Sequence, residues 1–217
     1  MDHNEDAFLI ENGVRFLPWI GSSYKSGFRG CRLLVLGESH YGDWDGKEHE
    51  MQNFTRERVE EVIDRDKDCK SLWRYIEQAI LNERRVNGWA PSGGRALWEY
   101  LVFYNFVQSP IQGGARVRPT RAQFIASQPH FRAIMEALRP ERVLVCGKGL
   151  WGWMEDCDAG HHLHADVQAY RLADGSAVWC LATVHPSSGR YSWSRIHSII
   201  SAFLNNPKDA ANFIANI

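Results

Sequence analysis

Apolar residues follow two rhythms along this chain. CRLLVLGE (31–38) and RVLVCGKG (142–149) hold short uncharged apolar cores, LLVL and VLVC, that lead into glycine and polar residues. Runs of this kind mark strands buried on both faces. VQAYRLADGSAVWCLATVHPS (167–187) reads as two strands about the turn Ala-Asp-Gly. Helical spacing fills the intervals. Over 54–66 and 69–85 apolar residues recur every three to four positions, with Leu72, Tyr75, Ile76, Ala79 and Ile80 on one face. Residues 93–108 predict a helix running into a short strand or loop near Asn105. Thr120 can cap a helix carrying Phe124, Phe131, Ile134, Met135 and Leu138, broken or kinked near Pro129 and stopped by Pro140. A last helix covers 192–206.

Strands separated by helices, with uncharged cores, predict an α/β fold: one domain over 1–217, a three-layer α/β/α sandwich around a mostly parallel sheet of about four strands. In open sheets of this kind ligands bind beyond the carboxyl ends of the strands. Three strands end in polar, glycine-bearing loops: GESHYGDW, GKGLWGW and HPSSGRYSW. The first and last carry the chemistry, so Glu38 and His185 are expected in one crevice.

Composition narrows the classes. With 44% hydrophobic and 24% charged residues the chain reads as soluble and globular. A net charge of -1 gives no bulk attraction to nucleic acid or membrane, so a nucleic-acid partner would need a local basic face. No stretch is apolar and long enough to cross a bilayer, and MDHNEDAFLIENG lacks the apolar core of a signal peptide. Five cysteines without C-x-x-C spacing argue against a disulfide framework, a zinc ribbon or an iron–sulfur cluster, and point to the cytoplasm.

The motifs and their order carry a resemblance. A strand ending in Gly37-Glu38, NFVQSP after an aromatic run, LRPERVLVCGKGLW, and a late strand ending in His185-Pro186-Ser187 follow one another over roughly 31–204. This ordered set resembles the uracil-DNA glycosylase superfamily. The resemblance implies a monomeric enzyme that needs no cofactor, flips a damaged or modified pyrimidine out of DNA and hydrolyses its N-glycosidic bond. Glu38 would stabilise the oxocarbenium-like sugar and orient water, and His185 would stabilise charge on the pyrimidine O2. Asn105 would read the base edge with Phe106 as a stacking partner, and Tyr41 would sit against the base. Ser39 and His40, also expected to contact the base, depart from the small residue or Asp followed by Pro that usually stand there. That departure leaves open a substrate other than uracil, such as the bulky modified pyrimidines removed by an antiphage branch. Trp44 would line the pocket, Ser187 and Ser188 would grip phosphates, and Arg190 or Tyr191 would fill the vacated stack.

Blander readings stand beside these. Glu38 could be an acceptor for loop N–H groups, His40 a loop brace, His185 a satisfied core histidine, and Asn105 a helix cap. Arg116 and Arg118, with Arg121, form either a phosphate-contacting patch or a solvated loop. Cys157, His161, His162 and His164 cluster without a familiar zinc spacing, so no metal is expected. Two other classes stay open: a serine esterase using Ser39 and His185, although Ala182 stands where the orienting Asp would be, and a binding module that reads modified DNA without cutting it.

Overall fold

The computed structural model describes residues 3–47, 51–64, 71–84, 94–114, 117–156 and 162–216. Its strands are β1 (Trp19–Ile20), β2 (Leu33–Gly37), β3 (Tyr41–Gly42), β4 (Leu101–Asn105), β5 (Ile111–Gln112), β6 (Arg142–Cys146), β7 (His162–His164), β8 (Val167–Arg171) and β9 (Ala177–Thr183). Its α-helices are α1 (His3–Glu11), α2 (Met51–Asp64), α3 (Ser71–Leu81), α4 (Gly94–Trp98), α5 (Arg121–Leu138), α6 (Lys148–Trp151), α7 (Trp193–Asn205) and α8 (Pro207–Ala215).

The main sheet has the order β1-β4-β2-β6-β9-β8-β7. Strands β4, β2, β6 and β9 run parallel, while β1 pairs antiparallel with β4, β8 with β9 and β7 with β8. The expectation of about four strands is therefore corrected to seven in this sheet among the described residues. The parallel centre matches the apolar runs, but β1 and β7 are edge pieces of two and three residues, too short to show a period.

Alternation along the central strands divides the core into two layers. Leu34, Leu36, Val102, Tyr104, Val143 and Val145 pack with Leu9 of α1 and Phe124, Phe131, Ile134 and Met135 of α5. Leu33, Val35, Leu101, Phe103, Leu144 and Leu181 face the other way, onto α2, α3, α4, α7 and α8. The chain is thus mixed α/β, with helices on both faces of a large, mostly parallel sheet.

Two local expectations change. The segment 93–108 is not one long helix; α4 stops at Trp98 and β4 begins at Leu101. All five residues of β4 are buried, so its apolar run lacks the alternation that separates strand from helix. Pro129 does not break α5, which continues from Arg121 to Leu138. Pro129 and Ile125, whose carbonyl loses its helical partner, are both exposed, so water can take the freed bond. Thr120 caps this helix as expected: Gln123 N–H donates to Thr120 Oγ1, and the Thr120 N–H donates to the Gln123 side chain.

Candidate functional site

The strand order turns outward in both directions from β2 and β6, towards β4 and β1 on one side and β9 on the other. A crevice forms beyond the carboxyl ends of strands at such a switch point. Gly37 ends β2, Asn105 ends β4, Gly147 follows β6 and His185 lies just beyond β9.

The loop after β2 is held by its backbone. Phe106 N–H donates to Gly37 O (3.0 Å), Val107 N–H to Glu38 O (2.9 Å), Ile111 N–H to His40 O (3.1 Å) and Gly113 N–H to Gly42 O (3.0 Å). The short parallel pair of β3 and β5 continues this zipper. Loop N–H groups are therefore not what Glu38 serves. Its carboxylate, 17% exposed, accepts from Arg118 Nη2 at 2.8 Å. Burial raises the Glu38 pKa, and the Arg118 guanidinium opposes that rise.

His185 packs its ring near Gly147, joining the ends of β9 and β6. The Ser187 N–H donates to His185 Nδ1 at 3.1 Å. That nitrogen therefore carries the lone pair and the ring proton sits on Nε2. The Ser187 hydroxyl stands 2.7 Å from the same nitrogen and donates to it. Burial, helped by the positive charge of Arg118, lowers the His185 pKa, so the imidazole is neutral at neutral pH. Ser187 thus orients His185. Ser188 turns the following loop: its N–H donates to His185 O and its hydroxyl accepts from Arg190 N–H. Arg190 is exposed. Tyr191 is anchored, its hydroxyl donating to Tyr75 O at 3.0 Å.

Asn105, at the end of β4, and His40 form a buried pair. The Asn105 amide nitrogen lies 3.1 Å from His40 Nδ1 and 3.2 Å from Nε2. No in-plane bond to one ring nitrogen gives such near-equality, so the amide sits over the face of the ring. His40 Nε2 bonds Thr55 Oγ1 of α2 at 2.8 Å, and its ring meets Phe16 and Phe54. Burial, with a smaller contribution from Arg58, lowers its pKa to about 3. The loop-bracing reading of His40 fits this setting.

The remaining residues divide by burial. Ser39 is buried and Tyr41 is half-buried; burial lifts the Tyr41 phenol pKa, and the charge of Glu38 adds to it. Trp44 packs edge-on to Phe16 and Phe54 in a small separate cluster, and Phe106 packs against Phe131 in the main core. Both are side chains of the interior rather than of an open wall. Arg116, Cys157 and His161 lie outside the described residues. Among the described residues, no three His, Cys, Asp or Glu side chains are placed to hold a metal. A groove of about 400 Å³ lined by Phe28, Leu81, Leu97 and Tyr100 lies at the amino-terminal end of β4, the opposite end from this chemistry.

Gln108 and Thr55 went unrecognised in the sequence. Gln108 Oε1 accepts from the Arg15 and Phe16 N–H groups (2.9 Å each), and its Nε2 donates to Asn105 O (2.8 Å). It ties the N-terminal segment to the end of β4. Nothing local signals either role, because their partners are remote in sequence. Arg118 was legible only as a loop cation; its bond to Glu38 spans 80 residues. No protein-family model matches this chain, and no curated protein matches it.

Proposed function

We propose that this protein is a DNA glycosylase of the uracil-DNA glycosylase type. It would flip a damaged or modified pyrimidine into the crevice and hydrolyse its N-glycosidic bond, acting as a cytoplasmic monomer without a cofactor. The observation that carries this reading is His185 just beyond the carboxyl end of β9, a neutral ring whose proton is held on Nε2 by the Ser187 N–H. Such a donor suits charge that develops on a departing base, and a half-buried carboxylate such as Glu38 suits a cationic sugar.

In this reaction the bond from C1′ to the base nitrogen breaks and its electron pair leaves with the base. Glu38 stabilises the cation left at C1′ and orients a water molecule, whose oxygen bonds to C1′. Water supplies the hydroxyl of the abasic sugar, and its proton goes to solvent, from which the released base takes one. The Nε2–H of His185 donates to the pyrimidine oxygen while the base carries negative charge. Asn105 would read the edge of the base, and the exposed Arg190 would contact the distorted duplex.

A serine-esterase mechanism fits less well. Ser39 is buried, and Nδ1 of His185 is engaged by Ser187 rather than by an orienting carboxylate. The deciding experiment is base release from DNA carrying a panel of pyrimidines, from uracil to hydroxymethylated and glucosylated cytosine. Alkali-sensitive breaks are the readout. Breaks at uracil alone would indicate repair, and breaks only at bulky bases would indicate action on modified phage DNA. DNA binding with no breaks at any base would sink the glycosylase reading in favour of a binding module.

A further inference from the structure

We propose that Arg118 is a positioning residue for Glu38: it holds the carboxylate ionised and aimed at the crevice in the free protein. This inference rests on the reading of Glu38 as the catalytic carboxylate. Arg118 arrives from the segment before α5, far from β2 in sequence, yet its Nη2 reaches Glu38 Oε2 at 2.8 Å.

Its path is built into a second strand end. The guanidinium passes directly over Gly149 in α6; a Cβ there would stand 2.9 Å from Nη2 and 3.0 Å from Nη1. The absence of a side chain at 149 therefore gives Arg118 its approach to Glu38. Two other chain segments thus converge on this one carboxylate.

The charges around Glu38 leave Arg118 as the counter-charge. On its own loop the neighbour is Tyr41, whose phenol is neutral because burial raises its pKa. His185, beyond β9, is held neutral by burial and by Arg118 itself. Lys148, at the start of α6, is engaged by Asp166. Burial alone would push Glu38 towards its protonated form, and a neutral acid could neither stabilise a cation nor orient water as a base. Arg118 is more than half exposed, so solvent weakens the pair, but it still opposes the rise that burial imposes on Glu38.

The test is the titration of the Glu38 carboxyl by carbon-13 NMR in the wild type, Arg118→Gln and Arg118→Lys, alongside pH–rate profiles for base release. Arg118→Gln should raise the Glu38 midpoint. The acid limb of turnover should move up by the same amount, a loss of activity at a fixed pH below it. Arg118→Lys should restore most of both. An unmoved Glu38 midpoint in a folded Arg118→Gln protein would overturn the proposal, as would an acid limb that stays put while the midpoint shifts. A shifted midpoint in a protein that releases no base from any DNA would uphold the pairing and discard the glycosylase reading.

Discussion

Asn105 lays its amide against the backbone of Gly37, so closely that a Cβ at position 37 would stand 2.1 Å from Asn105 Oδ1. The two residues are register partners at the ends of adjacent parallel strands. One strand end must therefore lack a side chain for the other to keep its amide buried. Gly37→Ala should force Asn105 out of place and cost about 1–3 kcal/mol, as overpacking of a filled interior does. Denaturant unfolding would measure the loss. A variant as stable as the wild type would show that the amide has another place to go.

Glu38→Gln keeps the shape of the side chain and removes its charge. Base release should fall by at least about 100-fold while DNA binding holds. Single-turnover kinetics with a separate binding isotherm would divide the two effects.

His185→Ala should lower base release by about 10²–10³, the usual cost of losing one donor to a developing negative charge. Nitrogen-15 NMR of the wild type should find the ring proton on Nε2. Because the His185 pKa is lowered, the ring should stay neutral below the ordinary histidine range near 6.5.

His40 predicts an acid sensitivity. Its folded pKa of about 3 lies below the unfolded value near 6.5, so the unfolded chain binds the extra proton first as pH falls. Full stability is present above pH ~6.5 and declines by about 1.4 kcal/mol per unit down towards pH ~3. His130 and His185, also lowered, add in the same direction. His40→Gln should therefore show a shallower loss between pH 6 and 4 than the wild type, by roughly that slope. Parallel slopes in the two proteins would mean that the ring is solvated.

Gln108→Ala would strand the buried Phe16 N–H and the half-buried Arg15 N–H, and would free Asn105 O. A loss of about 2–4 kcal/mol in chemical denaturation is expected, at roughly 1–3 kcal/mol for each unsatisfied buried group.

The readable part of the fold was its parallel centre. LLVL, VLVC and AVWCLA are continuous apolar runs, and such runs belong to strands covered on both sides. Helices α2, α3, α5 and α7 follow from period, while α1 and α8 do not appear in that reading. LVFYN was ambiguous because a fully buried strand loses its alternation, and the edge strands β1 and β7 are defined by what they pair with. The same limit applied to the site. Glu38 and His185 stand out because each follows an apolar run that ends at the carboxyl edge of the sheet, whereas Asn105 enters only through the family resemblance, since its segment reads as a helix. Trp44 is suggested by its place in the loop after β2 and Phe106 by the resemblance, but the structure turns both into the interior.

What the sequence determined by itself is therefore periodic or adjacent: the layer class, the strand ends, the Thr120 cap, and which side chains follow each glycine. Tertiary structure alone decided the partners. It put Arg118 on Glu38, Thr55 on His40 and Gln108 beneath Asn105, and it made Ser187 the residue that fixes the His185 proton. The reason is physical. Burial on a strand or helix repeats with the backbone period and leaves a trace in the order of residues. A hydrogen bond between remote segments depends on how the layers close, and no local period records it.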